Sequence, residues 1–270
     1  MHPANIACNR RAMLELGSWI DSGVDMEAAK IIRDTVLQVT QLRNISAGSP
    51  GLAQALGEVK RLQARRFSGT YFDLLHSDQY QPAALFFLDE LYSEKNYAER
   101  DTQFARIASA LERLFPQQVV QTAVSLAQLH GLTEALDLAM AHQWMSNAHA
   151  TEAARYVAAW RSVDRRADRN TQLAMVLEVG HELDRLTRTR GLRMILRMMR
   201  KPANLAGLGS LQRFLEAGFD TFAVMAGKGD GAAFFLDTVQ ARESGLIDRL
   251  FHASAVACET EIAQALGPAR

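Results

Sequence analysis

The chain has 270 residues, with 30 Lys+Arg against 30 Asp+Glu and a formal net charge of zero. That balance excludes a globally basic nucleic-acid binder and an acidic disordered tail. A hydrophobic share of 48% excludes disorder and suffices for a core. The length exceeds the usual domain mode of about 100–150 residues, and it is read here as a single all-helical domain over residues 1–270.

The first twenty-odd residues carry Arg10 and Arg11 inside their only apolar stretch and show no clean hydrophobic leader pattern. Helical punctuation then recurs to the end of the chain. A helix is predicted over 24–43. Ser49-Pro50 follows, an N-cap with proline at the first helical position, where the missing N–H costs nothing. Pro82 plays the same part ahead of a helix over 83–92. Asn96 with Glu99 forms a capping-box variant opening a helix over 96–115, and Pro116 starts a long one over 117–142. Further helices are predicted over 151–161, over 171–200 with a break near Gly191, and over 211–225, 232–244 and 246–266. Alternating runs of Val, Ile and Thr are missing, and six Pro with seventeen Gly are few for this length. The expected fold is an all-α multi-helix bundle about a central helix.

An internal echo runs through the chain. Leu62-Gln63, Arg66-Phe67, Phe72-Asp73 and Phe86-Phe87-Leu88-Asp89 are matched by Leu211-Gln212, Arg213-Phe214, Phe219-Asp220 and Phe234-Phe235-Leu236-Asp237. Both Phe67 to Phe72 and Phe214 to Phe219 are steps of five, and the next steps are nineteen and twenty. The spacing suggests two pseudo-repeated units, 52–115 and 205–251, although amphipathic aromatic helices also look alike by chance.

The segment Phe86-Phe87-Leu88-Asp89-Glu90-Leu91-Tyr92, with Arg100-Asp101 downstream, resembles an uncharacterised family of bacterial all-helical proteins over about the middle third of the chain. The resemblance implies a helical fold and a bacterial source, and supplies no reaction or catalytic residue.

Two cysteines, Cys8 and Cys258, cannot build a disulfide framework or a four-ligand zinc site, so the reducing cytoplasm is the expected compartment. No apolar run approaches the ~20 residues needed to span a bilayer. Glu178 with His181, and Asp73 with His76, have a metal-chelating i, i+3 spacing, but both pairs fall on the polar sides of their helices. Gly227-Lys228-Gly229-Asp230-Gly231 lacks the strand–loop–helix setting of a phosphate loop and reads as a connector.

Three groups of candidates remain. His130, Glu134 and Asp137 lie at i, i+4 and i+7 on one stripe of the 117–142 helix, whose apolar residues cover most of its circumference. There they would bind a metal or haem, act as an acid–base set, or merely be satisfied structurally, with His142 and His149 as further ligands from the helix end and the loop after it. No motif demands a cofactor, and a metal or haem enters only through this cluster. The second group is an apolar ligand pocket between the echoed units, lined by Phe72, Phe86, Phe87, Phe219, Phe234 and Phe235. The third is a basic helix with Arg190, Arg193, Arg197, Arg200 and Lys201 and no acid among them, suited to anionic lipid, phosphate or an acidic partner, unless carboxylates elsewhere neutralise it. The favoured reading is a non-catalytic interaction or regulatory module with a protein partner or as a homodimer. An apolar small-molecule binder and a metal- or haem-dependent enzyme are the alternatives.

Overall fold

The computed structural model describes residues 28–91, 95, 97–146, 151–226 and 231–267. Every regular element among them is a helix. In chain order these are α1 (Ala28–Ala47), α2 (Pro50–Thr70), α3 (Phe72–Leu75), α4 (Gln81–Leu91), α5 (Ala98–Leu114), α6 (Gln117–Met145), α7 (Glu152–Val163), α8 (Arg166–Thr187), α9 (Leu192–Met198), α10 (Arg200–Leu205), α11 (Gly209–Ala226), α12 (Gly231–His252) and α13 (Ala255–Leu266). Residues 1–21, Asn96, His149 and the 227–230 stretch lie outside the described residues.

Local chemistry sets most boundaries. Extended Ser49 leads into Pro50, which sits in the first turn of α2. The Thr151 hydroxyl accepts from Ala154 N and caps α7. The expected break at Gly191 is present: its φ of 83° is open to glycine and strained for any other residue, so α8 and α9 part there. The break expected at Ser244-Gly245 is absent, and α12 runs on to His252. A helix-interior glycine costs only about 1 kcal/mol, and the burial of Leu246, Ile247 and Leu250 outweighs it. The chain turns instead at Ser254, whose side chain accepts from Ala257 N and starts α13.

Packing is organised about α6, which contacts α1, α2, α5, α7 and α8. Residues 134–141 are all buried. At 3.6 residues per turn, eight consecutive buried positions mean that every side of the helix is covered there. One hydrophobic cluster joins Leu62 of α2, Met140 and Trp144 of α6, Tyr156 of α7, Leu250 of α12 and Ile262 of α13. A second joins Phe67, Tyr71 and Phe87 to Phe222 of α11 and Phe235 and Val239 of α12. A third sets Ile32 of α1 against Ala108 of α5 and Val124 of α6.

The sequence echo maps unevenly onto these helices. Phe87 and Phe235 occupy matching positions, both buried and edge-on to each other at 5.2 Å. Phe67 and Phe72 straddle the end of α2, the first buried and the second exposed, whereas Phe214 and Phe219 share the uninterrupted α11 with the buried member second. A repeated unit is therefore not shown by the fold.

The α2–α13 contact supplies a stability test. A Cβ built on Gly69 would lie 1.8 Å from the carbonyl oxygen of Ala265, so the backbones meet only because position 69 has no side chain. Gly69→Ala, which would gain up to about 1 kcal/mol in an open helix, is expected instead to cost about 2 kcal/mol or more by displacing α13. Urea unfolding followed by circular dichroism measures the sign.

Candidate functional site

The three polar residues on the α6 stripe are sent to three different neighbours. His130 Nε2 lies 3.0 Å from Asp101 Oδ2 of α5, which also accepts from Arg43 Nη2 of α1 at 2.7 Å. Arg43 Nη2 also lies 3.3 Å from the same imidazole nitrogen, so the three side chains form one cluster. Burial pushes the Asp101 carboxyl upward, but His130 and Arg43 together outweigh it and hold the group below the usual carboxylate range. Glu134 takes Lys60 Nζ of α2 at 2.9 Å, with both side chains largely out of water. Asp137, only 3% exposed, accepts from Gln63 Nε2 of α2 at 3.1 Å. Its carboxyl is raised by burial, which Lys60 only partly opposes. His142 is exposed near the far end of α6. Among the described residues no three His, Cys, Asp or Glu side chains converge to hold a metal ion. Glu178, His181, Asp73 and His76 are exposed, and Asp73 pairs with Arg242.

Asp137 lines a cavity of about 70 Å³ where α2, α6, α7, α8 and α12 meet. Its other polar walls are Gln63 and Arg66 of α2, Tyr71, Thr133 of α6, Tyr156 and Trp160 of α7, Arg169 and Gln172 of α8 and Glu243 of α12, with Phe67, Phe87, Leu129 and Val239 among the apolar ones. Glu243 accepts from Arg66 Nη1 at 2.5 Å and from the Tyr71 hydroxyl at 2.9 Å. Arg169 donates to Gln172, which in turn donates to the Thr133 hydroxyl. The Arg169 guanidinium lies 4.2 Å over the Trp160 ring, and Trp160 Nε1 is buried with no acceptor among the described residues. Among its polar walls the sequence pattern singles out Asp137 alone as a candidate. The signal for the others was a charge at an apolar register position: Arg66 follows Val59 and Leu62 at helical spacing, Arg169 precedes Val176 and Gly180, and Glu243 sits between Val239 and Ile247.

The phenylalanines of the expected apolar pocket do not enclose one space. Phe72 and Phe234 are exposed, Phe234 stacking on Tyr80. Phe219 is buried, and Phe86 stacks on Phe214. Phe87 and Phe235 fill the gap between α4 and α12 with their own rings, and only Phe87 reaches the cavity.

The basic residues occupy the segment around α9 and α10, and carboxylates from α11 meet most of them. Arg193 and Arg197 pair with Asp220, and Arg200 pairs with Glu216. Arg190 and Lys201 are exposed. The apolar side differs more from expectation. No residue of α9 is buried; Met194, Ile195, Met198 and Met199 are exposed, and Leu205 is 91% exposed.

Two opposite pH dependences follow. Asp101, with a lowered pKa, adds stability above the ordinary carboxylate range that is lost as pH falls through its folded value. Asp101→Asn is therefore expected to cost about 3 kcal/mol near neutral pH, with the deficit shrinking in acid. Asp137, with a raised pKa, loses stability as pH rises from the ordinary carboxylate range through its folded value, so Asp137→Asn is expected to improve relative to the parent over that interval. Urea unfolding at about pH 4 and about pH 7 checks both signs.

Residues 42–257 match the family described as a domain of unknown function, DUF8198. No curated protein and no solved structure matches the chain. Among the described residues, no helix is long and apolar enough to cross a membrane. With about four-fifths of its length inside the match, the chain belongs to the DUF8198 family.

Proposed function

We propose that this domain is a non-catalytic interaction module that docks an acidic, amphipathic segment of a protein partner on α9 and α10. The observation that carries the reading is the outward display of Met194, Ile195, Met198, Met199 and Leu205 on a segment whose first helix buries nothing. Scattered exposed apolar residues need no explanation, but a contiguous group is a mark of association. Methionines suit such a surface because their unbranched, polarizable chains adapt to a partner's shape.

Charge supports the choice of occupant. Arg190, Arg193, Arg197, Arg200 and Lys201 surround the apolar ridge, and Asp220 and Glu216 offset only two of the five. The excess positive charge favours an acidic partner. It disfavours an isologous dimer through this patch, which would set the excess against itself. Carboxylates lying among the arginines also fit a protein of mixed charge better than a uniformly anionic lipid surface.

A photo-crosslinking residue at position 198 is expected to capture one protein through an acidic, apolar-faced segment. A synthetic peptide of that segment should bind the purified domain. Burial of each methionine contributes about 1.5–3 kcal/mol, so Met194→Glu with Met198→Glu should weaken binding at least tenfold, read by fluorescence anisotropy. Crosslinks only between copies of this chain would overturn the reading. So would Arg193- and Arg197-dependent sedimentation with phosphatidylglycerol vesicles.

A further inference from the structure

Methionine sulfur is distributed unevenly over this fold. Met140 and Met225 are sealed in the core, whereas Met194, Met198 and Met199 are 63%, 70% and 44% exposed within one short stretch of chain. Met194 and Met198 stand one turn apart on α9 and line a surface groove with Gly191, Arg193 and Arg197. Because α9 buries no residue, a chemical change to these side chains leaves the packed interior untouched. Among the described residues the other exposed methionine, Met145, lies at the end of α6 against Gly51 of α2. The described cysteine does not compete as a redox group: Cys258 is buried, and its thiol donates to the Arg249 carbonyl. Sulfur open to an oxidant is therefore concentrated where the apolar display is.

We propose that Met194, Met198 and Met199 form a peroxide-sensitive modification site that switches docking off, an inference that rests on the docking reading above. In the step, a thioether sulfur attacks one oxygen of a peroxide. The O–O bond breaks and an S–O bond forms. The proton on the transferred oxygen passes to the departing one, which leaves as water or an alcohol. Sulfur gives up two electrons and the peroxide takes them. The product is a polar sulfoxide in place of an adaptable apolar side chain, which an apolar interface rejects. Arg193 and Arg197 line the same groove, and a guanidinium has N–H groups to donate to the new oxygen, so the undocked state gains what the docked state loses. A methionine sulfoxide reductase reverses the step: a dithiol becomes a disulfide and the oxygen leaves as water.

The test treats the whole chain with limiting hydrogen peroxide and has two readouts. Peptide mapping by mass spectrometry should find sulfoxide at positions 194, 198 and 199 before any at 140 or 225, with the urea midpoint unchanged. Fluorescence anisotropy then follows a labelled amphipathic peptide of leucine, alanine and glutamate, whose affinity should fall about tenfold or more on oxidation and return after methionine sulfoxide reductases with dithiothreitol. The variant carrying Met194→Leu, Met198→Leu and Met199→Leu keeps the apolar display and should bind like the reduced parent, with no response to peroxide. Met145→Leu should respond as the parent does. Sulfoxides at all three positions with unchanged affinity overturn the switch while leaving docking intact. Equal peroxide sensitivity in the triple leucine variant, or oxidation at 140 and 225 as fast as on α9, also overturns it. If neither the reduced parent nor the triple leucine variant binds the peptide, the docking reading itself falls and the switch with it.

Discussion

A helix covered on every side cannot leave its polar residues to water. That constraint, imposed on α6 over residues 134–141, shapes the interior of this protein. Each polar group on the helix needs a partner from a neighbour, because an unmatched buried charge costs far more than a matched one returns. Lys60 and Gln63 of α2 meet Glu134 and Asp137, and Asp101 of α5 meets His130 where the stripe approaches the surface. Two carboxyl groups within the buried stretch thus have different fates. Glu134 holds an ammonium ion, and Asp137 is pushed toward the neutral acid beside a polar cavity.

Away from α6 the balance changes. The α9–α10 segment is tied down by ion pairs to Asp220 and Glu216 and by a Gln212 bond to the Leu196 carbonyl. Exposed ion pairs contribute little each, commonly below about 1 kcal/mol, and α9 has no buried side chain to add. Binding surfaces are often drawn from such weakly held parts of a fold. Here the weakly held part also carries the apolar display. Interior and surface divide the chemistry between them, charge compensation within and an apolar display without.

How much of this could be read from the chain depended on distance along it. The central place of α6 was legible because Val119, Val124, Leu129 and Leu132 fall on different sides of one helix, a property of a single segment. Gly191 was legible as a break for the same reason. Ser244-Gly245 misled because local propensity ignores the burial of Leu246 and Ile247, while the Ser254 cap carried the true boundary. The polar cavity was hidden: Arg66, Asp137, Arg169 and Glu243 come from four helices, and no spacing rule relates them. The same blindness applied to the basic segment, whose neutralising acids stand on α11. Periodicity placed both phenylalanines of each Phe-Phe pair together, yet adjacent helical residues diverge by about 100°, so Phe235 is buried and Phe234 exposed.

Native-state hydrogen exchange tests the organising role of α6 most directly. If enclosure by five neighbours holds this helix, the amides of residues 134–141 exchange only through global unfolding, with the denaturant dependence of the whole protein. Amides over 192–205 then exchange through small local openings that denaturant barely affects. Exchange of the 134–141 amides by local opening, as easily as those of α9 and α10, would contradict the account.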